Sequence, residues 1–125
     1  MTTRAHHQLR AWQEAIGLVK EVYRLTGAFP REELYGHALQ MRRCAVSVPS
    51  NIAEGAARGS SREFLHYLTM ARGSLSELDT QLVIARELGY PNDATGAKQL
   101  DEVFGLLGGL INSVRQETSG SSPRQ

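Results

Sequence analysis

The chain has 125 residues, a one-domain length able to bury roughly two-thirds of its unfolded surface in a single core. Its 14 Lys and Arg against 13 Asp and Glu leave a net charge of +1, which excludes a generic polycation that coats nucleic acid but not a local basic face. One cysteine, Cys44, excludes an intramolecular disulfide and a cysteine-rich zinc site.

The start, Met1 to Gln8, is polar and has no apolar core like that of a signal peptide; we read His6 and His7 as part of a loose start, at best an adventitious metal grip. Next come four segments with helical period and none with strand alternation. In the first, Leu9, Trp12, Ile16, Val19 and Tyr23 recur at three and four and form the expected core seam, stopped by Phe29-Pro30. The second carries Leu34, Ala38, Met41, Ala45, Val48 and Ile52, with Gly55 as the expected end because glycine accepts the left-handed conformation. Pro49 interrupts this segment, removing a backbone bond at a cost of about 3 kcal/mol. Since the seam continues to Ile52, one long helix kinked at Pro49 is expected, with Ser47, Ser50, Asn51 or water serving the freed carbonyl; two helices broken near Val48 are the alternative.

The third segment opens with Ser60-Ser61-Arg62-Glu63, a capping box, and repeats Phe64, Leu68, Ala71, Leu75, Leu78 and Leu82 before Gly89-Tyr90-Pro91 ends it. The fourth is capped by Asn92 or Asp93 and places Leu100, Val103, Phe104, Leu107, Leu110, Ile111 and Val114 on one face. Residues 117–125 read as a disordered tail, which leaves an ordered domain over about 7–116. Helices of about 20 residues joined by short connections predict an all-α, antiparallel, up-down-up-down four-helix bundle. The longest apolar-rich run, Val103 to Ile111, is too short to span a membrane, and a cytoplasmic protein is expected.

Two helices carry more apolar surface than a monomeric bundle needs. Ala11, Leu18 and Leu25 form a spare stripe on the first, and Tyr35, Leu39, Val46 and Ala53 form one on the second. These stripes predict a subunit interface. Arg42 falls within the second stripe, where its stem can lie on apolar surface. Charge also separates along the chain. Gly36 to Ser76 balances to +3 and Glu77 to Glu102 to −4. Two readings follow. Either Arg43, Arg58 and Arg62 form a phosphate-binding surface around the turn Gly55 to Ser60, or the arginines pair with acids of another helix or subunit, with Arg42 and Arg72 seeking Glu77 or Asp79.

Catalytic constellations are missing from the pattern. Glu63-Phe64-Leu65-His66 has the Glu-x-x-His spacing of di-iron bundles, but those need two such motifs and two further carboxylates. Cys44, beside the seam, reads as a packing residue, and the Gly105 to Gly109 spacing reads as allowing close backbone approach. No enzyme activity, cofactor, metal, membrane contact or small-molecule substrate is expected. Asn51 and Glu54 read as structural, holding kink and turn together.

The run Gln40-Met41-Arg42-Arg43-Cys44-Ala45-Val46-Ser47-Val48-Pro49-Ser50-Asn51-Ile52-Ala53-Glu54-Gly55 resembles the signature of the 23S rRNA intervening-sequence proteins. Tyr35-Gly36, Glu63-Phe64, Gly73-Ser74-Leu75-Ser76-Glu77-Leu78, Thr80-Gln81-Leu82 and Glu87-Leu88-Gly89-Tyr90 extend the likeness over about residues 9–115. Arg42, Pro49, Asn51, Glu54, Gly55 and Arg72 are read as structural members of this signature. The resemblance implies a left-handed antiparallel four-helix bundle assembling as a homopentamer, with no established biochemical activity for most members. It also extends to the accessory variability determinant of diversity-generating retroelements, a basic pentameric barrel that binds nucleic acid and a reverse transcriptase. RNA or DNA is therefore a candidate partner beside the chain itself. This chain departs from that basic branch in having two lysines and nearly balanced charge.

Overall fold

The computed structural model describes residues 4–120. It contains four α-helices and, among the described residues, no strand: α1 (Arg10–Thr26), α2 (His37–Ala56), α3 (Ser61–Glu87) and α4 (Ala94–Gly120), with 3₁₀ turns at Ala5–Gln8 and Arg31–Glu33. Each helix packs on two others, α1 on α2 and α4, α3 on α2 and α4, and the diagonal pairs do not meet, as in a four-helix bundle. No described helix is long and apolar enough to cross a membrane.

The ends of α3 follow from local chemistry. The Ser60 hydroxyl accepts from the Glu63 backbone N–H at 3.2 Å, the N-cap half of the expected capping box, while the Glu63 carboxylate accepts from that hydroxyl at 3.3 Å and not from the Ser60 backbone N–H. At the other end Gly89 takes φ +78°, and the N–H groups of Gly89 and Tyr90 bond the carbonyls of Arg86 and Ala85. That is a Schellman stop, for which glycine is required because other residues strain at positive φ. Asp93 opens α4 by accepting from the Thr95 N–H at 3.1 Å. The expected tail needs correction, because α4 continues through 117–120; residues 121–125 lie outside the described part. The start is also better held than expected, since the rings of His6 and His7 pack on Trp12 at 5.0 and 4.9 Å.

The core seams of α2, α3 and α4 are the predicted ones, from Ala38, Met41, Ala45, Val48 and Ile52 through Leu68, Ala71, Leu75, Leu78 and Leu82 to Leu100, Val103, Leu107, Ile111 and Val114. Leu34 is an exception, since it precedes α2 and is exposed, and Phe64, Phe104 and Leu110 are only partly buried at the edge of the core. Helix α1 is inverted relative to expectation. Its core residues are Ala11, Ala15, Leu18, Val22 and Leu25, while Ile16 and Tyr23 are 38% and 48% exposed and Trp12 and Val19 are half-buried. Ala11, Leu18 and Leu25 are therefore corrected from candidate interface to core of the chain's own bundle. The reason is physical: α1 is apolar on two sides, and its small residues, Ala11 and Ala15, fit the side that meets neighbouring helices.

Helix α2 is continuous through Pro49. The expected side chains act there, but on other carbonyls: Ser47 Oγ donates to Cys44 O at 2.8 Å and Asn51 Nδ2 donates to Ser47 O at 2.8 Å. Neither donates to Ala45 O, the carbonyl that Pro49 leaves without its usual donor. Gly55 does not end α2 in the left-handed region; the only described residue with positive φ is Gly89. Gly55 is buried inside the helix, where a Cβ would lie 2.7 Å from Tyr67 Cβ and 3.0 Å from Phe64 Cδ1. The close backbone approach sits at this α2–α3 contact. Cβ atoms at Gly105, Gly108 and Gly109 would meet no neighbour within 4 Å, so the reading of those glycines is corrected as well.

Candidate functional site

The inversion of α1 creates a face. Trp12, Ile16 and Val19, with His6, face Val46, Pro49, Ser50 and Ala53 of α2 across a shallow hollow of about 350 Å³, and Tyr23 lies beneath the Arg42 guanidinium. Of the spare stripe predicted on α2, Val46, 41% exposed, and Ala53 line this hollow, while Leu39 is half-buried and Tyr35, ahead of the helix, is 86% exposed. Sequence reasoning assigned the α1 contribution to the wrong residues. The available signal was size, since Ala11 and Ala15 suit a helix contact better than Trp12 and Ile16 do.

Arg42 stands at one end of this face. Its Nε donates to Thr26 Oγ1 at 2.8 Å, and its guanidinium lies over the Tyr23 ring, 4.7 Å from the centroid. The Thr26 hydroxyl in turn donates to Val22 O at 2.6 Å, and Thr26 is the one buried polar residue among those described. The expected pairing of Arg42 with Glu77 or Asp79 is corrected by this geometry: α1, and not α3, holds it. Arg72 is half-buried and makes no ion pair among the described residues, so its expected acid partner is not there either.

The three candidate nucleic-acid contacts do not share one environment. Arg58 donates to Glu54 Oε2 at 3.0 Å and to Tyr67 Oη at 2.6 Å, and it lies over the Tyr67 ring at 4.9 Å. The Glu54 carboxylate beside it pushes the guanidinium pKa further up. Glu54 thus forms an exposed ion pair with one of the candidate arginines. Arg43 and Arg62 are exposed and have no ion pair among the described residues. The start of α3 is already capped by Ser60, which removes a free N–H from the turn.

The remaining polar side chains fasten helices together. Arg24 bridges Glu21 of its own helix and Asp93 ahead of α4, both at 2.8 Å, and Gln99 Nε2 donates to Glu14 Oε1 at 3.0 Å. Arg24 holds the Asp93 carboxyl below its usual range. Tyr90 donates to Glu33, which lowers the Glu33 pKa and raises that of Tyr90. Cys44 is buried, its Sγ 3.0 Å from Ser74 O, and burial pushes its thiol up to about 11, so it packs rather than reacts. Among the described residues no three His, Cys, Asp or Glu side chains converge on a point that could hold a metal, and His66 is exposed.

No curated protein matches this chain. The model of one protein family, the 23S rRNA-intervening sequence protein, matches residues 7–112, which span all four helices except the end of α4. That match covers most of the sequence, and the chain belongs to the 23S rRNA-intervening sequence protein family.

Proposed function

We propose that the protein is a non-enzymatic, self-assembling bundle of the cytoplasm, and that copies associate through the α1/α2 face. The observation that carries this reading is the row of exposed and half-exposed apolar side chains, Trp12, Ile16, Val19 and Tyr23 beside Val46 and Leu39. Isolated surface apolars are common, but a contiguous set on two adjacent helices marks an interaction surface. A homopentamer is the number that the family resemblance implies. An odd-numbered ring needs two different complementary patches on each copy. Ile84 and Leu88, exposed and one turn apart at the end of α3, offer a second patch. The antiparallel order is supported by pairings that run in opposite directions: Glu14 with Gln99 and Arg24 with Asp93, then His37 with Gln81 and Cys44 with Ser74.

Nucleic-acid binding by Arg43, Arg58 and Arg62, repeated around the assembly, is the second reading. Two exposed guanidiniums without an ion pair favour it, and the Glu54–Arg58 pair weighs against it. The test of the assembly reading is a pair of substitutions on the face, Ile16→Glu and Val46→Glu, followed by sedimentation velocity and circular dichroism. Smaller particles with unchanged helicity support it. Unchanged particle size in both variants refutes it.

A further inference from the structure

A cleft of about 430 Å³ opens where α1 ends and the Arg31–Glu33 turn begins, lined by Thr26, Phe29, Pro30, Arg31, Leu34 and Arg42. Its size falls within the range of small-molecule sites, about 300–1,000 Å³. Both of its ionisable lining residues are arginines, and no carboxylate lines it. Of the two acids that follow Arg31, Glu33 is turned to Tyr90 Oη and the His37 N–H, while Glu32 is exposed and does not line the cleft. Arg42 is a half-buried residue, yet only its Nε has a hydrogen-bond partner among the described residues. A half-buried cation without a counter-charge is costly. It is nevertheless held in place by Thr26, whose hydroxyl accepts from Nε while donating to Val22 O, and by stacking on Tyr23. Fixing Nε and one face of the guanidinium leaves the paired Nη groups as an oriented fork, the geometry that suits a planar or tetrahedral oxyanion.

We propose that this cleft binds a small organic oxyanion, a phosphate monoester with an apolar or aromatic body. The oxyanion lies against the Nη groups of Arg42 with Arg31 as a second cation, and the body lies against Phe29, Pro30 and Leu34. Two cations match the dianionic charge of a phosphate monoester near neutral pH. The apolar wall distinguishes such an ester from inorganic phosphate. The site is separate from the capped turn at Ser60 and adjoins the α1/α2 face through Arg42 and Tyr23.

The test is titration calorimetry of the full chain with phenyl phosphate, with benzoate and inorganic phosphate as comparison probes. Saturable binding of phenyl phosphate is expected, at least tenfold weaker in Arg42→Gln and weakened also in Arg31→Gln, with inorganic phosphate binding less tightly than the ester. Thr26→Val, which keeps Arg42 but removes the partner of Nε, weakens binding as well. Arg31 is exposed, so its variant keeps the test valid if Arg42→Gln fails to fold. Three results overturn the proposal. One is the absence of saturable binding. Another is binding indifferent to both arginines, and a third is benzoate binding equal to that of the phosphate ester. Where the first of these comes with particles that fall apart in Arg42→Gln, the counter-charge of Arg42 is instead a carboxylate from a second copy.

Discussion

Replacing Gly55 by alanine tests the packing of α2 on α3 most sharply. An added Cβ would stand 2.7 Å from Tyr67 Cβ and 3.3 Å from the Phe64 carbonyl oxygen, where ordinary contact needs about 3.5–4 Å. Neither neighbour is the free end of a flexible side chain, so the two helices must separate by several tenths of an ångström along a tightly packed seam. Overpacking of this kind costs about 1–3 kcal/mol, and the rigid neighbours place it in the upper half of that range. The gain in helix propensity on replacing glycine by alanine, about 1 kcal/mol, offsets part of the loss. The net expectation is a destabilisation of about 1–2 kcal/mol, or a fall in melting temperature of several degrees. Gly105→Ala is the matched control. It lies in α4, is exposed and has no neighbour within 4 Å of its Cβ position, so only the propensity gain of about 1 kcal/mol remains. Urea denaturation of the two variants should therefore give midpoint shifts of opposite sign. Equal shifts, or a Gly55→Ala protein more stable than the unmodified one, would refute the account of Gly55 as a contact glycine.

The other predictions concern the inverted helix and pH. Leu18→Ala should cost about 2–5 kcal/mol in chemical denaturation, because Leu18 is fully buried, whereas Val19→Ala on the outward side should change the stability of the dissociated chain far less. Asp93 and Glu33 both have lowered carboxyl pKa values, by hydrogen bonds from Arg24 and from Tyr90. Their stabilisation is therefore present above the ordinary carboxylate values of 3.8 and 4.5 and is lost as pH falls through the lowered ones. The double variant Asp93→Asn, Glu33→Gln should flatten the acid limb of the melting-temperature profile below about pH 4.5. Asp93 is solvent-exposed, so added salt should shrink the difference for its ion pair with Arg24.

Periodicity was sufficient for the helices whose apolar residues occupy one side. In α3, Leu68, Leu75, Leu78 and Leu82 admit one seam, and serine and glycine at its ends have side-chain or backbone chemistry that acts locally. Helix α1 defeats the same reasoning because Trp12, Ile16, Val19 and Tyr23 repeat as well as Ala11, Ala15, Leu18 and Val22 do. A period reports that a side is apolar. It does not report whether the chain itself or another molecule covers that side. Gly55 was misread for a related reason, since glycine at a helix end and glycine at a helix crossing look alike until Tyr67 and Phe64 are placed beside it. The arginines were the least legible of all. Arg42 found Thr26 and Tyr23, sixteen and nineteen positions away, and Arg58 found Tyr67. Those partners lie across helix contacts, where charge counts along the sequence carry no information. Thr26 had one legible sign, as a polar residue one turn after Val22 on the stripe that proved to be core.

The central claim is that the α1/α2 face is covered by another copy of the chain. Multi-angle light scattering on the unmodified protein, diluted stepwise through the micromolar range, tests it most directly. The account predicts a particle several times the 13.8 kDa chain mass, with five copies the number the family resemblance implies. A particle of 13.8 kDa at every concentration would contradict it and leave Trp12, Ile16, Val19 and Tyr23 without a role.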